Sequence, residues 1–243
     1  MTRVLVTRPA AQAPALADAL RRERLDPVCV PTVEIEPAVD PRLREALDEL
    51  DRFDWLIVTS ANAVPALAGR PASRTRIAAV GSITAAALER AGMRVDHVPR
   101  RFVGIEIARE IDDLRGRRVL LAQADAATPD LREALVERGA RVTSVVAYRT
   151  VEAPPSSRRP LRDALDGGLD LLTFASPSAV RGLLRLLDPG RLEQARQIAA
   201  ACIGPVTAQA AVTRGFVVSV MPERHTASDL ARAIAQQLTE TVA

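Results

Sequence analysis

Lysine is absent: the 33 basic residues of this 243-residue chain are all arginine. A Schiff-base, pyridoxal-phosphate or phosphate-loop chemistry, each of which needs a lysine amine, is thereby excluded. Histidine is nearly absent. His97 and His225 are the only two, so neither a HExxH zinc site nor a histidine-dependent triad is expected. The two cysteines, Cys29 and Cys202, lie far apart with no CxxC partner and read as buried free thiols of a reducing compartment. Only six residues are aromatic. With few stacking platforms and no dense basic run, nucleic acid is not an expected partner. Long apolar runs are missing too. The longest uncharged stretch, 197–213, is broken by Gly204-Pro205, and the first residues lack the apolar run of a signal peptide, so neither membrane insertion nor export is expected. The expected location is cytoplasmic.

What is present points to a folded chain. Apolar residues make up 48% and charged residues 26%, with a net charge of +3, a mild excess that suits a ligand bearing carboxylates or phosphates. Short β-rich runs alternate with helical patterns. Strands are expected at Val4–Thr7, Trp55–Thr59, Ile77–Val80, Val95–Val98, Val119–Ala122, Val142–Ala147, Leu169–Phe174, Ile198–Cys202 and Val217–Val220. Helical faces are marked by Leu16 and Leu20, by Leu131 and Leu135, by Ala179–Leu187 and by Leu230–Leu238. Alternation of this kind predicts an α/β fold with parallel sheets and helices on both faces.

The chain also repeats itself. Arg3-Val-Leu-Val matches Arg118-Val-Leu-Leu. Thr59-Ser-Ala-Asn-Ala-Val64 matches Ala175-Ser-Pro-Ser-Ala-Val180. Ala79-Val-Gly-Ser-Ile-Thr-Ala-Ala86 matches Cys202-Ile-Gly-Pro-Val-Thr-Ala-Gln209. Two similar α/β units follow from this, either joined near Asp113–Arg117 or interwoven. The proline-rich stretches Pro31–Pro41 and Arg149–Pro160 read as extended connectors. Their positions allow the first segment to pack with the last, and two crossings between domains would then form a paired hinge.

In open parallel sheets, ligands bind beyond the carboxyl ends of the strands, where helix N-termini offer free N–H groups. Four small-polar turns are expected there: Ser60-Ala-Asn62, Gly81-Ser-Ile-Thr84, Ser176-Pro-Ser178 and Gly204-Pro-Val-Thr207. Each can cap its own helix or bind a carboxylate. As two matched pairs, one per unit, they are expected to face an interdomain cleft. None of them matches GxGxxG or a phosphate loop, so no nucleotide is expected. Thr7 fits a strand-end cap, and Arg8 would sit at the sheet edge, where a guanidinium can grip a carboxylate or form a surface salt bridge. Pro9 fits the start of a helix. Tyr148, the only tyrosine, is either a core residue or a phenol in the cleft able to donate a hydrogen bond to a leaving hydroxyl. His225 reads as solvent-exposed just before the last helix, with Ser228 and Asp229 as its caps. Trp55 reads as core, and the paired arginines Arg21-Arg22, Arg117-Arg118 and Arg158-Arg159 as solvated faces.

Together these motifs resemble the uroporphyrinogen-III synthase family. The resemblance rests on Val4-Leu-Val-Thr-Arg-Pro9, Phe53 to Val64, Ala79-Val-Gly-Ser-Ile-Thr-Ala85, Val145-Val-Ala-Tyr-Arg-Thr-Val151, Thr173 to Val180 and Ile203-Gly-Pro-Val-Thr-Ala208, in the family's order across nearly the whole chain. It implies two similar parallel-sheet α/β domains, flavodoxin- or Rossmann-like, joined by a two-stranded linker with a cleft between them. Residues 1–34 plus 152–243 would form one domain and 35–151 the other. It implies a hydro-lyase that cyclises hydroxymethylbilane to uroporphyrinogen III with loss of water and inversion of ring D, with no metal or organic cofactor and with the small-molecule substrate as its partner. A monomer is expected. By motif, Tyr148 is carried over as catalytic. Thr84 and Thr207 are carried over as cleft residues, and Ser60, Asn62, Ser176 and Ser178 as carboxylate contacts. Thr7, Arg8, Gly81 and Gly204 join the substrate-binding set, as does Ala63, which stands where the family often has glycine and is expected to leave its N–H free. The competing reading is a cytoplasmic two-domain α/β binding protein or sensor for a small anionic ligand.

Overall fold

The computed structural model describes residues 1–69, 74–101 and 103–242. Ten short strands form: β1 Arg3–Val6, β2 Asp26–Cys29, β3 Val33–Pro37, β4 Trp55–Val58, β5 Arg76–Ala79, β6 Arg118–Ala124, β7 Arg141–Glu152, β8 Leu171–Phe174, β9 Ala200–Cys202 and β10 Val218–Val220. The helices are α1 Ala13–Arg22, α2 Pro41–Asp48, α3 Val64–Leu67, α4 Ser82–Arg90, α5 Gly104–Glu110, α6 Asp130–Glu137, α7 Arg158–Asp166, α8 Pro177–Leu186, α9 Pro189–Arg196, α10 Pro205–Val212 and α11 Ala227–Val242.

The chain falls into two compact units, Met1–Glu34 with Val151–Ala243, and Ile35–Thr150. The first holds a parallel five-stranded sheet in the order β2-β1-β8-β9-β10. Alternate residues of its central strand serve opposite faces, as the two-residue period of a strand requires. Val4 and Val6 pack with Leu16, Leu20, Leu230 and Ile234 of α1 and α11. Leu5 packs with Leu161, Leu172, Phe174 and Leu183 on the other face. β8 and β9 are buried along their whole length, which suits their apolar sequence; the one polar member, Thr173, donates its hydroxyl to the Leu5 carbonyl at 2.7 Å.

The second unit holds the order β3-β7-β6-β4-β5. β7, β6, β4 and β5 are parallel. β3 runs the other way: Ala153 N–H bonds to the Thr32 carbonyl and Ala38 N–H to the Ala147 carbonyl, so pairing partners descend along one chain as they ascend the other. Leu56, Val58, Leu120 and Ala122 line one face of this sheet, and Trp55, Ile57, Val119 and Leu121 the other.

Several sequence expectations change. Cys202 is buried as expected, but Cys29, at the end of the edge strand β2, is exposed. Val95–Val98 makes only a single bridge, Ala78 to His97. Asp26–Cys29 is a strand despite Pro27; as β2 it lies at a sheet edge, where a missing N–H is tolerated. The connector expected at Arg149–Pro160 is extended only to Glu152, then turns through a 3₁₀ segment, Pro155–Ser157, into α7. Pro14, not Pro9, occupies the start of α1, while the Pro9 carbonyl accepts from Gln12 and Ala13 N–H. The last helix is capped by Thr226. Its hydroxyl accepts from Asp229 N–H at 3.1 Å and donates to the Asp229 carboxylate at 2.6 Å.

Candidate functional site

The four turns leave the carboxyl ends of adjacent parallel strands, two in each unit. In the first unit, Ser176-Pro-Ser178 follows β8 and Gly204-Pro-Val-Thr207 follows β9, and α8 packs on α10. In the second, Ser60-Ala-Asn62 follows β4 and Gly81-Ser-Ile-Thr84 follows β5, and the 3₁₀ turn Ala61–Ala63 packs on α4. Neighbouring strands in parallel register therefore bring each pair of turns side by side.

The members of each pair differ in what they leave open. Ser60 Oγ accepts from Asn62 N–H at 3.2 Å. Ser176 Oγ accepts from Ala179 N–H at 3.2 Å and lies 2.9 Å from Ser178 Oγ. These serines cap their own helices. The N–H of Ala63 is spent on the Ser60 carbonyl at 3.0 Å and its side chain is fully buried, which corrects the expectation that this N–H is free. The two glycine turns are open. Gly81 and Gly204 are extended N-caps with no side chain to bond the first-turn N–H groups. Thr84 and Thr207, third in their helices, are only 6% and 4% exposed, yet neither hydroxyl has a hydrogen-bond partner among the described residues.

Thr7 is fully buried, and its hydroxyl donates to the Thr173 carbonyl at 2.6 Å. It clamps β1 to β8 at the sheet edge. Arg8 beside it is half-buried. It donates to the Gln12 side chain at 3.1 Å, but its Nε is buried with no acceptor among the described residues. Burial lowers its pKa below the ordinary guanidinium value because the cation has lost water. A guanidinium still carries its charge there. By contrast, Arg181 and Arg185 of α8 are taken by Glu152, at 2.6 and 2.9 Å. Tyr148 lies on β7, in register with Ala124 of β6. Its ring joins the core of the second unit, and its hydroxyl has no partner among the described residues. The core reading of Tyr148 holds for its ring.

Two features escaped the sequence reading. The exposed His225 ring lies against the β9–α10 turn, where a Cβ on Gly204 would meet it at 3.3 Å. Ile83 and Val206 are 76% and 72% exposed in the first turns of α4 and α10. Their equivalent places in the repeat were the available signal. Among the described residues no three His, Cys, Asp or Glu side chains gather as a metal site would need. No helix among them is long and apolar enough to cross a membrane. A cavity of 610 Å³ in the second unit, lined by Pro37, Val39, Arg44, Leu47 and Ala66 among others, includes none of the four turns.

Comparison with known proteins bears on the same segments. The family described as "Uroporphyrinogen-III synthase HemD" matches residues 14–232. The uroporphyrinogen-III synthase of Synechococcus elongatus is 31% identical, over 98% of this chain and 96% of its own. The porphyrin biosynthesis protein HemD of Ruminiclostridium josui is 30% identical over 86% of this chain, which spans only 44% of that longer protein. A crystal structure of a mutant uroporphyrinogen III synthase from Thermus thermophilus shares the fold, with a TM-score of 0.67, 22% identity and coverage of 99% of this chain and 100% of that one.

Proposed function

We propose, from the premise that this chain belongs to the uroporphyrinogen-III synthase family, that the glycine turns and Arg8 hold the carboxylates of a linear tetrapyrrole while Tyr148 assists departure of its hydroxyl. The protein is a cyclising hydro-lyase of tetrapyrrole biosynthesis. Its substrate, hydroxymethylbilane, bears eight carboxylates and a terminal hydroxymethyl group. The observation that carries the binding role is the recurrence, in both units, of a glycine-capped helix with open N–H groups and a buried threonine whose hydroxyl has no partner among the described residues. Such groups are preset donors for an anion, so little reorganisation accompanies binding.

Loss of the hydroxyl leaves an electrophilic azafulvene. In this reading the Tyr148 hydroxyl, unpartnered among the described residues, hydrogen-bonds the departing oxygen. Attack by the substituted carbon of ring D forms a spiro intermediate, which fragments and recloses with ring D inverted. The unassisted reaction closes to the type I isomer, so the protein's main task is to fix geometry. The turns of both units contribute to that task. A cytoplasmic, monomeric protein without organic cofactor completes the reading.

The test supplies freshly generated hydroxymethylbilane, oxidises the products and separates the type I and type III isomers. Type III above the no-protein control supports the reading. Only type I, from a folded sample, returns the argument to a binding protein for a small anion.

A further inference from the structure

Aliphatic β-branched side chains on an exposed first helical turn gain nothing from packing and are indifferent helix formers. This chain places one in each unit, at the same position. Ile83 and Val206 both stand second in their helices, after a glycine N-cap and before a buried threonine. They are 76% and 72% exposed, while Ala85 and Ala211 further along the same helices are buried. The helix N-terminus beside each is open. Ala85 and Ala208 N–H close the first turn on the Gly81 and Gly204 carbonyls at 2.9 and 3.0 Å. The N–H groups before them have no acceptor among the described residues. Thr84 and Thr207 add hydroxyls that lack partners in residues more than nine-tenths buried. Each turn therefore offers anion donors and an apolar surface within one residue of each other.

That pairing selects a ligand with the same two properties, a flat apolar ring carrying short carboxylate arms. We infer that Ile83 and Val206 are substrate-contact residues, each lying against the face of a pyrrole whose acetate or propionate is held by the adjacent N–H groups and threonine. The inference rests on the synthase reading and extends it. It names the side chains that recognise the ring, where the turns recognise only the carboxylate. An anion-binding turn alone does not distinguish a pyrrole acid from any other acid; an aliphatic contact at a fixed distance from the anion does.

The test uses the full chain with Ile83→Thr, Val206→Thr and the double variant, with Val136→Thr as control. Val136 is 46% exposed on α6 and belongs to none of the turns. Exposed threonines leave the melting temperature within about 2 °C of the parent. Each turn variant is expected to raise KM for hydroxymethylbilane roughly fivefold with kcat nearly unchanged, and the double variant roughly twentyfold, as loss of two apolar contacts predicts. Val136→Thr is expected to keep the parental KM. Parental KM in all variants, or a fall in kcat with KM unchanged, overturns the contact while leaving the synthase reading intact. A parent protein that yields no type III isomer overturns both.

Discussion

In the first unit the turn after β8 opens the ten-residue α8, whereas in the second the matched turn after β4 opens a 3₁₀ turn and the four-residue α3. At Gly182 of α8 a Cβ would sit 1.9 Å from the Thr32 carbonyl. The same threonine donates its hydroxyl to the Ala179 carbonyl at 2.8 Å. Helix α8 thus lies directly on the backbone at the first crossing of the chain, an approach that only glycine permits. In the repeat, Ala66 stands where Gly182 does. The two units also differ at one sheet edge, where β10 lies beyond β9 in one and only the lone His97 bridge lies beyond β5 in the other. The helices opened by glycine are alike. α4 and α10 both end at a left-handed glycine, Gly92 with φ 79° and Gly215 with φ 85°. The residue after each bonds back to the helix, Met93 to Leu88 and Phe216 to Ala211. The glycine turns are the common feature, and the supports around them have diverged.

The sharpest break of this comparison is Gly182→Ala. The added carbon overlaps backbone, which cannot rotate away, so a loss of about 3 kcal/mol is expected in urea unfolding. Ala66→Gly in the second unit is expected to cost at most about 1 kcal/mol. Equal costs would mean that the close approach is not needed. Tyr148→Phe retains the ring and removes the phenol. Turnover is expected to fall on the order of a hundredfold with melting unchanged. Thr84→Ala and Thr207→Ala are expected to cost about fivefold each. A Tyr148→Phe rate equal to these would remove Tyr148 from the chemistry.

The serine caps sharpen the contrast further. Ser176→Ala unsettles a long helix and is expected to cost about 1 kcal/mol, whereas Ser60→Ala, which caps three residues, is expected to cost about half that. The smallest effect appears only at alkaline pH. Burial raises the Cys202 thiol from 9.0 to about 11. The folded state therefore keeps a proton that the unfolded chain sheds. Stability is intact below pH 9 and is lost as pH rises from 9 towards 11. Cys202→Ala puts into the first unit the residue that the second has at Ala79, and is expected to flatten that loss. Urea midpoints at about pH 8 and about pH 10.5 would show it.

The order of the turn motifs, their repetition and the strand–helix alternation were legible in the chain because they are local. A glycine or serine after an apolar run marks a strand end whatever packs around it, and periodicity reports which face is buried. Thr7 was legible as a strand-end cap but not as sealed, because the carbonyl that takes its proton belongs to Thr173, in a segment far along the chain. Nor did the motifs separate the self-capped serine turns from the open glycine turns, since both read as small polar residues before a helix. That distinction depends on which donors find acceptors after folding. The same holds for Ile83 and Val206: as letters they are two apolar residues in a helix, and only the folded chain leaves them uncovered. Sequence by itself determined the family, the α/β class and the positions of the turns. Tertiary structure decided which of those turns remain open, because hydrogen-bond satisfaction and burial are set by neighbours that the chain brings together only when it folds.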